Sequence, residues 1–401
     1  MISTEGRENG RPWHGGARFA LPTDADDAVL VGRIWDPSVD GPSPVVVRDG
    51  HAYDVSAAFP TVRDLCEAPD PVAAVRAVPG RRVAELDELL DNTGREDRDP
   101  SRPHLVAPID LQAVKAAGVT FVESMLERVI EERVQGHPEA AHGVRRRLTR
   151  EIGADIRGLR PGSPVATRLK QLLVAEGMWS QYLEVGIGPD AEIFTKGQVL
   201  SAVGTAVPVG VLAESRWNNS EPEVVLLVAS SGRVVGATLG NDVNLRDVEG
   251  RSALLLPKAK DNNGSCAVGP FVRLLDERFD LGAVRELPVR LEIEGEDGFS
   301  LADTSEMSRI SRDPQQLVEQ LIGPHHRYPD GAALMLGTMF APYVDRDEPA
   351  AGFTHHPGDV VRISTDRLGG LVNRVRHAEK CDPWEFGARA LMSNLAARGL
   401  A

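Results

Sequence analysis

Hydrophobic positions change period along the chain, and each change predicts an element. From Val29 to about Val106, short apolar runs such as Val29–Val31 and Val45–Val47 alternate with turn clusters that include Asp49-Gly50. This spacing predicts a small N-terminal β domain over residues 29–106. Ahead of it, residues 1–28 form a polar N-terminal arm, too poor in large apolar side chains to order itself without a neighbour. The charged stretch Asp91 to Arg102 reads as an exposed loop. Beyond it, Phe121, Val122, Met125, Leu126, Val129, Ile130 and Val134 recur at steps of three and four and stop at Gly136-His137-Pro138. That period predicts an amphipathic helix. A second helical stretch, Ala140–Ile152, carries Arg145-Arg146-Arg147, which reads as a solvated face. Residues 107–180 are thus a helical connecting segment.

From about Tyr182 to Arg376 the pattern becomes that of strands: Glu223–Ala229, Val234–Leu239, Phe271–Leu275, Leu287–Ile293, Val360–Ile363 and Leu371–Val375. Asp366 to Gly370 suits a hairpin whose glycines supply positive φ. Residues 181–380 make a β-rich catalytic domain, and the amphipathic tail Trp384–Leu400 places a C-terminal helix in 381–401. The fold class is mixed and β-rich (α+β).

Charge narrows the partners. Lys plus Arg number 45 against 59 Asp plus Glu, a net charge of −14, which argues against nucleic acid held through its phosphates. No eighteen apolar residues run together and the first residues lack the apolar core of a signal peptide, so no membrane partner is expected. Cys66, Cys266 and Cys381 lie far apart without C-x-x-C spacing, which fits a reducing, cytoplasmic setting and neither a disulfide framework nor a zinc site.

Glu221-Pro222-Glu223 runs directly into an apolar strand, and side chains two apart on a strand share a face. Two adjacent carboxylates need a cation, a shared proton or solvent. Hard oxygen ligands at this spacing suit Mg²⁺, while an exposed strand edge is the plain alternative. Asp242 falls where the next strand meets a loop, as a third ligand or as an Asx turn capping the strand end. Arg246 and Glu249 follow four and seven residues later, a spacing that puts all three near one face of a short helix. The polar stretch Pro257 to Pro270 reads as an active-site loop bearing Lys260. A dication and partial burial there would disfavour that lysine's charge and make it usable in proton transfer; an ordinary solvated lysine is the alternative.

In their order and gaps, Glu221-x-Glu223, Asn241-Asp242 with Arg246-Asp247-x-Glu249, Lys260 followed by Gly269-Pro270, and Gly337-Thr338 resemble the fumarylacetoacetate hydrolase family over roughly residues 108–376. The resemblance implies a C-terminal rolled β-sheet or barrel. It implies Glu221, Glu223 and Asp242 as ligands for Mg²⁺ (or Mn²⁺/Ca²⁺), Lys260 as catalytic, and Gly337 and Thr338 on the substrate carboxylate. Homodimers or homotetramers are the implied assembly.

Hydrolases of that family commonly carry G-x-N-Y-x-x-H-x-x-E ahead of the sheet, where the histidine and glutamate help activate water. The same frame here is Gly118 to Glu127, with Ser124 at the histidine position. Serine cannot replace an imidazole base near neutral pH. The frame looks like the family's sugar-acid dehydratase branch, which implies a lyase that dehydrates a 2-keto-3-deoxy pentonate to 2,5-dioxopentanoate. The small-molecule substrate would be a 2-keto acid, whose carboxylate and carbonyl oxygens can fill the open positions of a three-carboxylate Mg²⁺ site. Lys260 or Glu249 is the base, with Ser124, Glu127 and Arg246 as hydrogen-bonding or proton-transfer groups. An acylpyruvate-type C–C hydrolase is the alternative. His325-His326 and His355-His356 are assigned to surface loops, Cys266 to packing, and Trp217 to the border of the pocket.

Overall fold

The structure is a computed structural model that describes residues 7–8, 11–135, 137, 139, 141, 159–175, 177, 179–340, 342, 344–349 and 351–401. Of the helix expected over Ala140–Ile152, only Ala141 is among the described residues, and the three arginines lie outside them. After a short antiparallel pairing of Arg7–Glu8 with Arg11–Pro12 come five longer N-terminal strands: β1 (Leu30–Asp36), β2 (Gly41–Arg48), β3 (His51–Asp54), β4 (Arg81–Glu85) and β5 (His104–Val106). Asp49 and Gly50 both take positive φ, 48° and 72°, and join β2 to β3 in the tight hairpin that this dipeptide favours. Next come β6 (Ala113–Gly118), the helices α1 (Val122–Arg133) and α2 (Gln181–Ile187), and β7 (Glu192–Gly197) and β8 (Val207–Val211).

The remainder runs β9 (Pro222–Val228), β10 (Val234–Asp242), the short helices α3 (Arg246–Glu249) and α4 (Leu256–Lys260), and β11 (Cys266–Leu274). The last strands are β12 (Pro288–Glu294), β13 (Ser300–Glu306), β14 (Ala332–Met335), β15 (Val360–Thr365) and β16 (Gly369–His377). The C-terminal helix covers Ala388–Ala397. Periodicity misjudged several boundaries: β11 begins at Cys266 rather than Phe271, because the Ala267 to Pro270 stretch pairs with β10 and is buried despite its small residues. Tyr182 lies in α2, not on a strand, and Asp91 to Thr93, read as exposed loop, end the helix Leu86–Thr93 with Asn92 and Thr93 buried.

Two sheets carry the fold. The larger has the order β4-β3-β2-β1-β11-β10-β9-β14-β6-β7, with β5 also on β1; the smaller has the order β8-β16-β15-β12-β13. Neither order returns to its start, so among the described residues the rolled sheets do not close. The N-terminal strands continue the same sheet as β9 to β11, since Val31 pairs with Val272 and Leu30 with Arg273.

β9 is buried along its whole length. Val224, Leu226 and Val228 face one core, with Val289, Leu291, Ile363 and Leu371 of the smaller sheet. Val225 and Leu227 face a second core, with Val31, Val46 and Leu65. A strand buried on both faces shows no alternation, which explains the continuous run Val224–Val228. The polar arm is held from Trp13 onward: Trp13 and Ala20 are buried in a cluster with Leu86, Leu89 and Val372.

Candidate metal and acid–base site

The ends of β9 and β10 assemble the acidic group. Their antiparallel register sets Glu223 opposite Gly240 and Pro222 opposite Asn241, and the Asp242 N–H donates to the Glu221 carbonyl at 3.0 Å. One carboxylate oxygen from each of Glu221, Glu223 and Asp242 lies within 4.8 Å of the others, and all three residues are buried. Lys260 is on no loop: it ends α4, and its carbonyl accepts from the Ser265 hydroxyl at 2.8 Å and from Lys196 Nζ. Its ammonium lies between Glu221 and Asp242 Oδ2, the latter at 3.0 Å. Lys196, with no exposed surface, pairs with Asp242 Oδ1 at 2.9 Å.

Gly337 reaches the group through its backbone, donating its N–H to Glu223 Oε2 at 2.7 Å. Its φ of +88° favours glycine, and a Cβ there would fall 2.1 Å from Thr120 Oγ1. The Thr338 hydroxyl oxygen accepts from the Phe340 N–H at 3.0 Å, which leaves its own proton to donate.

The opposite wall is α1, whose helical spacing presents Ser124, Glu127, Arg128 and Glu131 to the same pocket. Arg128 binds Glu131 at 2.7 Å, Glu221 at 2.5 Å and Glu249 at 3.0 Å. Arg246 pairs with Glu131 at 2.7 Å and Glu127 at 3.2 Å, and donates to the Pro342 carbonyl at 2.8 Å. Trp217 does not border the pocket; it lies beneath Arg246, its ring centre 4.3 Å from the guanidinium carbon. The Ser124 hydroxyl donates to the Phe121 carbonyl at 3.0 Å.

All ten residues singled out in the sequence line this one pocket: Ser124, Glu127, Glu221, Glu223, Asp242, Arg246, Glu249, Lys260, Gly337 and Thr338. Arg128, Glu131 and Glu192 line it too, with Lys196 behind Asp242, and sequence reasoning missed all four. Only the three- and four-residue period of α1 could have found Arg128 and Glu131, as its polar face.

Burial, with Asp242 and Glu221 beside it, pushes the Glu223 carboxyl well above its usual range. Burial also acts on Asp242, but Lys196 and Lys260 outweigh it and hold that carboxyl below its ordinary value. Glu249 is pushed up by burial to about 7. The expectation of a discharged Lys260 is reversed: burial opposes its charge, but Asp242, Glu221 and Glu249 more than compensate and raise its pKa. Cys266 is a buried packing residue whose thiol burial pushes up to about 12. His355 departs from its assignment to a surface loop, being buried against Ser220 and Asp359; His356 is part-exposed.

Three buried carboxylates that converge on one point, already neutralised in part by an ammonium, form an oxygen donor set of the kind hard dications take. The residues present therefore fit a divalent ion.

Residues 222–376 match the family model "Fumarylacetoacetate (FAA) hydrolase C-terminal". The chain is 27% identical over 328 residues to a Haloferax volcanii protein described as a "probable 2-keto-3-deoxyxylonate dehydratase", covering 82% of this chain and 93% of the relative. It is 29% identical over 192 residues to the 2-dehydro-3-deoxy-D-arabinonate dehydratase of Saccharolobus solfataricus, covering 47% of this chain and 60% of that one. The fold is shared with a solved 2-keto-3-deoxy-D-arabinonate dehydratase complexed with magnesium and 2,5-dioxopentanoate. That match has a TM-score of 0.61 and 21% identity over 87% of this chain and 99% of the other. Among the described residues no helix is long and apolar enough to cross a membrane.

Proposed function

We propose that the chain is a divalent-metal-dependent hydro-lyase that converts a 2-keto-3-deoxy pentonate to 2,5-dioxopentanoate. The observation that carries this reading is the convergence of Glu221, Glu223 and Asp242 within 4.8 Å, facing an α1 wall that offers Ser124 and no imidazole. The named relatives support the same substrate class.

Glu221, Glu223 and Asp242 are the groups that would hold Mg²⁺, with Mn²⁺ or Ca²⁺ as substitutes. A dication there supplies Lewis-acid polarisation of the 2-keto group and so acidifies the protons on C3. Glu249, with its carboxyl near 7 and steadied by Arg128, accepts a C3 proton. The Lys260 ammonium gives a proton to the C4 hydroxyl, which leaves as water. Glu249 then returns its proton to C3 while the neutral Lys260 amine takes one from C5, which leaves a C4=C5 enol and restores both side chains. That enol takes up a proton at C4 and gives its O5 proton to solvent to become the aldehyde, and the net loss is one water. The Thr338 hydroxyl and Arg246 orient the carboxylate and hydroxyls of the substrate. Ser124 and Glu127 complete the hydrogen-bonding wall on α1. The assembly is read as a cytoplasmic homodimer or homotetramer, checked by sedimentation.

Purified protein given 2-keto-3-deoxy-D-pentonate and Mg²⁺ should produce an aldehyde that an added semialdehyde dehydrogenase oxidises, and excess chelator should abolish it. An undiminished rate in chelator refutes the metal role. Faster loss of acylpyruvate absorbance than of sugar acid would replace the lyase with a C–C hydrolase.

A further inference from the structure

Behind the acidic trio, outside the pocket, lies a buried chain of polar groups that the proposed chemistry does not use. His355 Nε2 is 3.1 Å from the Ser220 backbone nitrogen and 3.0 Å from Ser220 Oγ. Its Nδ1 is 3.0 Å from Asp359 Oδ2, and its own backbone N–H donates to Asn218 Oδ1 at 3.0 Å. Asp359 is held in turn by Arg346, at 2.5 and 2.8 Å, and by the His356 N–H at 3.0 Å.

A Ser-His-Asp order invites a nucleophilic reading, but Ser220 has no exposed surface and the His355 side chain has none either. No substrate reaches it. The backbone geometry gives the group a different use. An amide N–H can only donate, so the ring nitrogen facing Ser220 must carry a lone pair. That requires the Nδ1–H tautomer, which Asp359 selects by accepting from Nδ1. The residue after Ser220 is Glu221, and the two before it, Asn218–Asn219, pair with Asn244–Leu245 at the start of α3. Asn241 adds a bond from its side-chain amide to Ser220 Oγ at 3.1 Å.

We propose that His355 is a positioning residue for the acidic trio: as acceptor for the Ser220 N–H, in a tautomer fixed by Asp359 and Arg346, it sets where the Glu221 carboxylate stands. This rests on the reading of Glu221, Glu223 and Asp242 as ligands. His355 touches neither substrate nor ion, and its effect runs through one peptide unit. The segment that carries it, Phe353 to Asp359, thereby ties the loop before β15 to the mouth of β9.

The test uses the full chain and Mn²⁺ binding by calorimetry, with kcat and KM as further readouts. His355→Leu removes the acceptor and should weaken Mn²⁺ binding about 10-fold or more, the usual scale for losing a group that orients a ligand. His355→Gln keeps an oxygen near the Nε2 position and should bind within about threefold of wild type. Equal affinity in wild type and His355→Leu, or equal loss in both variants, overturns the proposal. ¹⁵N-histidine spectra of the wild-type protein decide independently of any variant's folding: the Nδ1–H tautomer is expected at His355, and Nε2–H refutes it. Wild type that binds no Mn²⁺ defeats the metal reading itself, an outcome distinct from bound metal insensitive to His355.

Discussion

Loading the site with a dication should expel protons, and the number follows from the charges the fold has buried together. Seven carboxylates line or touch the pocket: Glu127, Glu131, Glu192, Glu221, Glu223, Asp242 and Glu249. Four cations face them: Arg128, Lys196, Arg246 and Lys260. Four against seven leaves three negative charges unmatched. Burial pushes Glu192, Glu223 and Glu249 upward, Glu223 well above its usual range and Glu249 to about 7, and the last two are the groups expected to hold protons in the ion-free state near pH 6. A dication adds two positive charges at the trio, so near pH 6 binding should release between one and two protons, about one of them from Glu223. Calorimetric titration with Mg²⁺ in buffers of different ionisation enthalpy reads this number as the slope of observed heat against buffer enthalpy. A slope of zero, with binding otherwise evident, would refute the charge balance and with it the view that carboxyls and a metal share this point.

Three substitutions probe the same site. Lys260→Met leaves Glu221 and Asp242 without their shared ammonium, a loss of about 3–5 kcal/mol for a broken buried pair. Over 401 residues that is about 4–6 °C in Tm at the usual unfolding entropy per residue. The drop should appear in chelator and shrink by at least half in saturating Mg²⁺, and equal drops in both would count against competition between lysine and ion. Burial lifts Glu249 from 4.5 to about 7, so the folded state keeps a proton the unfolded chain gives up. The group therefore costs stability increasingly as pH rises through that window, reaching ~3 kcal/mol above it. Glu249→Gln should raise Tm relative to wild type at pH 8 but not at pH 4, while lowering kcat about 100-fold or more; an equal shift at both pH values would contradict the assignment. Gly337→Ala, at φ +88° with Thr120 in its path, should cost about 2 kcal/mol or more and loosen Glu223. Wild-type melting and Mn²⁺ affinity in that variant would show that the strap to Glu223 carries no weight.

Local pattern made much of this legible. Glu221-x-Glu223 ahead of an apolar run placed two carboxylates on one side, and the register of β9 with β10 delivers Asp242 to them. What local pattern lacks is the partner across space. Lys196 looks like any strand lysine until β7 is packed beside β10 and α4, where it meets Asp242 and the Lys260 carbonyl. Arg128 follows Glu127 on a helix that reads as a solvated polar face, and only the arrival of Glu221 and Glu249 from ninety and more residues away gives it work. The sign error at Lys260 has the same origin: burial alone lowers a lysine, and the three carboxylates that reverse this, Asp242, Glu221 and Glu249, come from other segments of the chain. His355 was placed on the surface because nothing in Thr354-His355-His356 announces Ser220, 135 positions earlier in the chain.

The acidic trio by itself does not choose between adding water to a bond and removing water from a substrate, because polarising a 2-keto group serves both. The choice lies in the opposite wall. For hydrolysis, α1 would have to present a base to a water molecule, and at the position where an imidazole would stand it presents Ser124, whose proton is already given to the Phe121 carbonyl. The groups we propose to exchange protons come instead from the segments after β10: Glu249 on α3, near 7, and Lys260 at the end of α4. Both face the trio rather than bulk solvent, Glu249 through Arg128 and Lys260 through direct contact with Glu221 and Asp242. An acid and a base on the ion's own side of the pocket suit the removal of a C3 proton and a C4 hydroxyl from one substrate. They suit poorly the delivery of a second molecule, water, from across it.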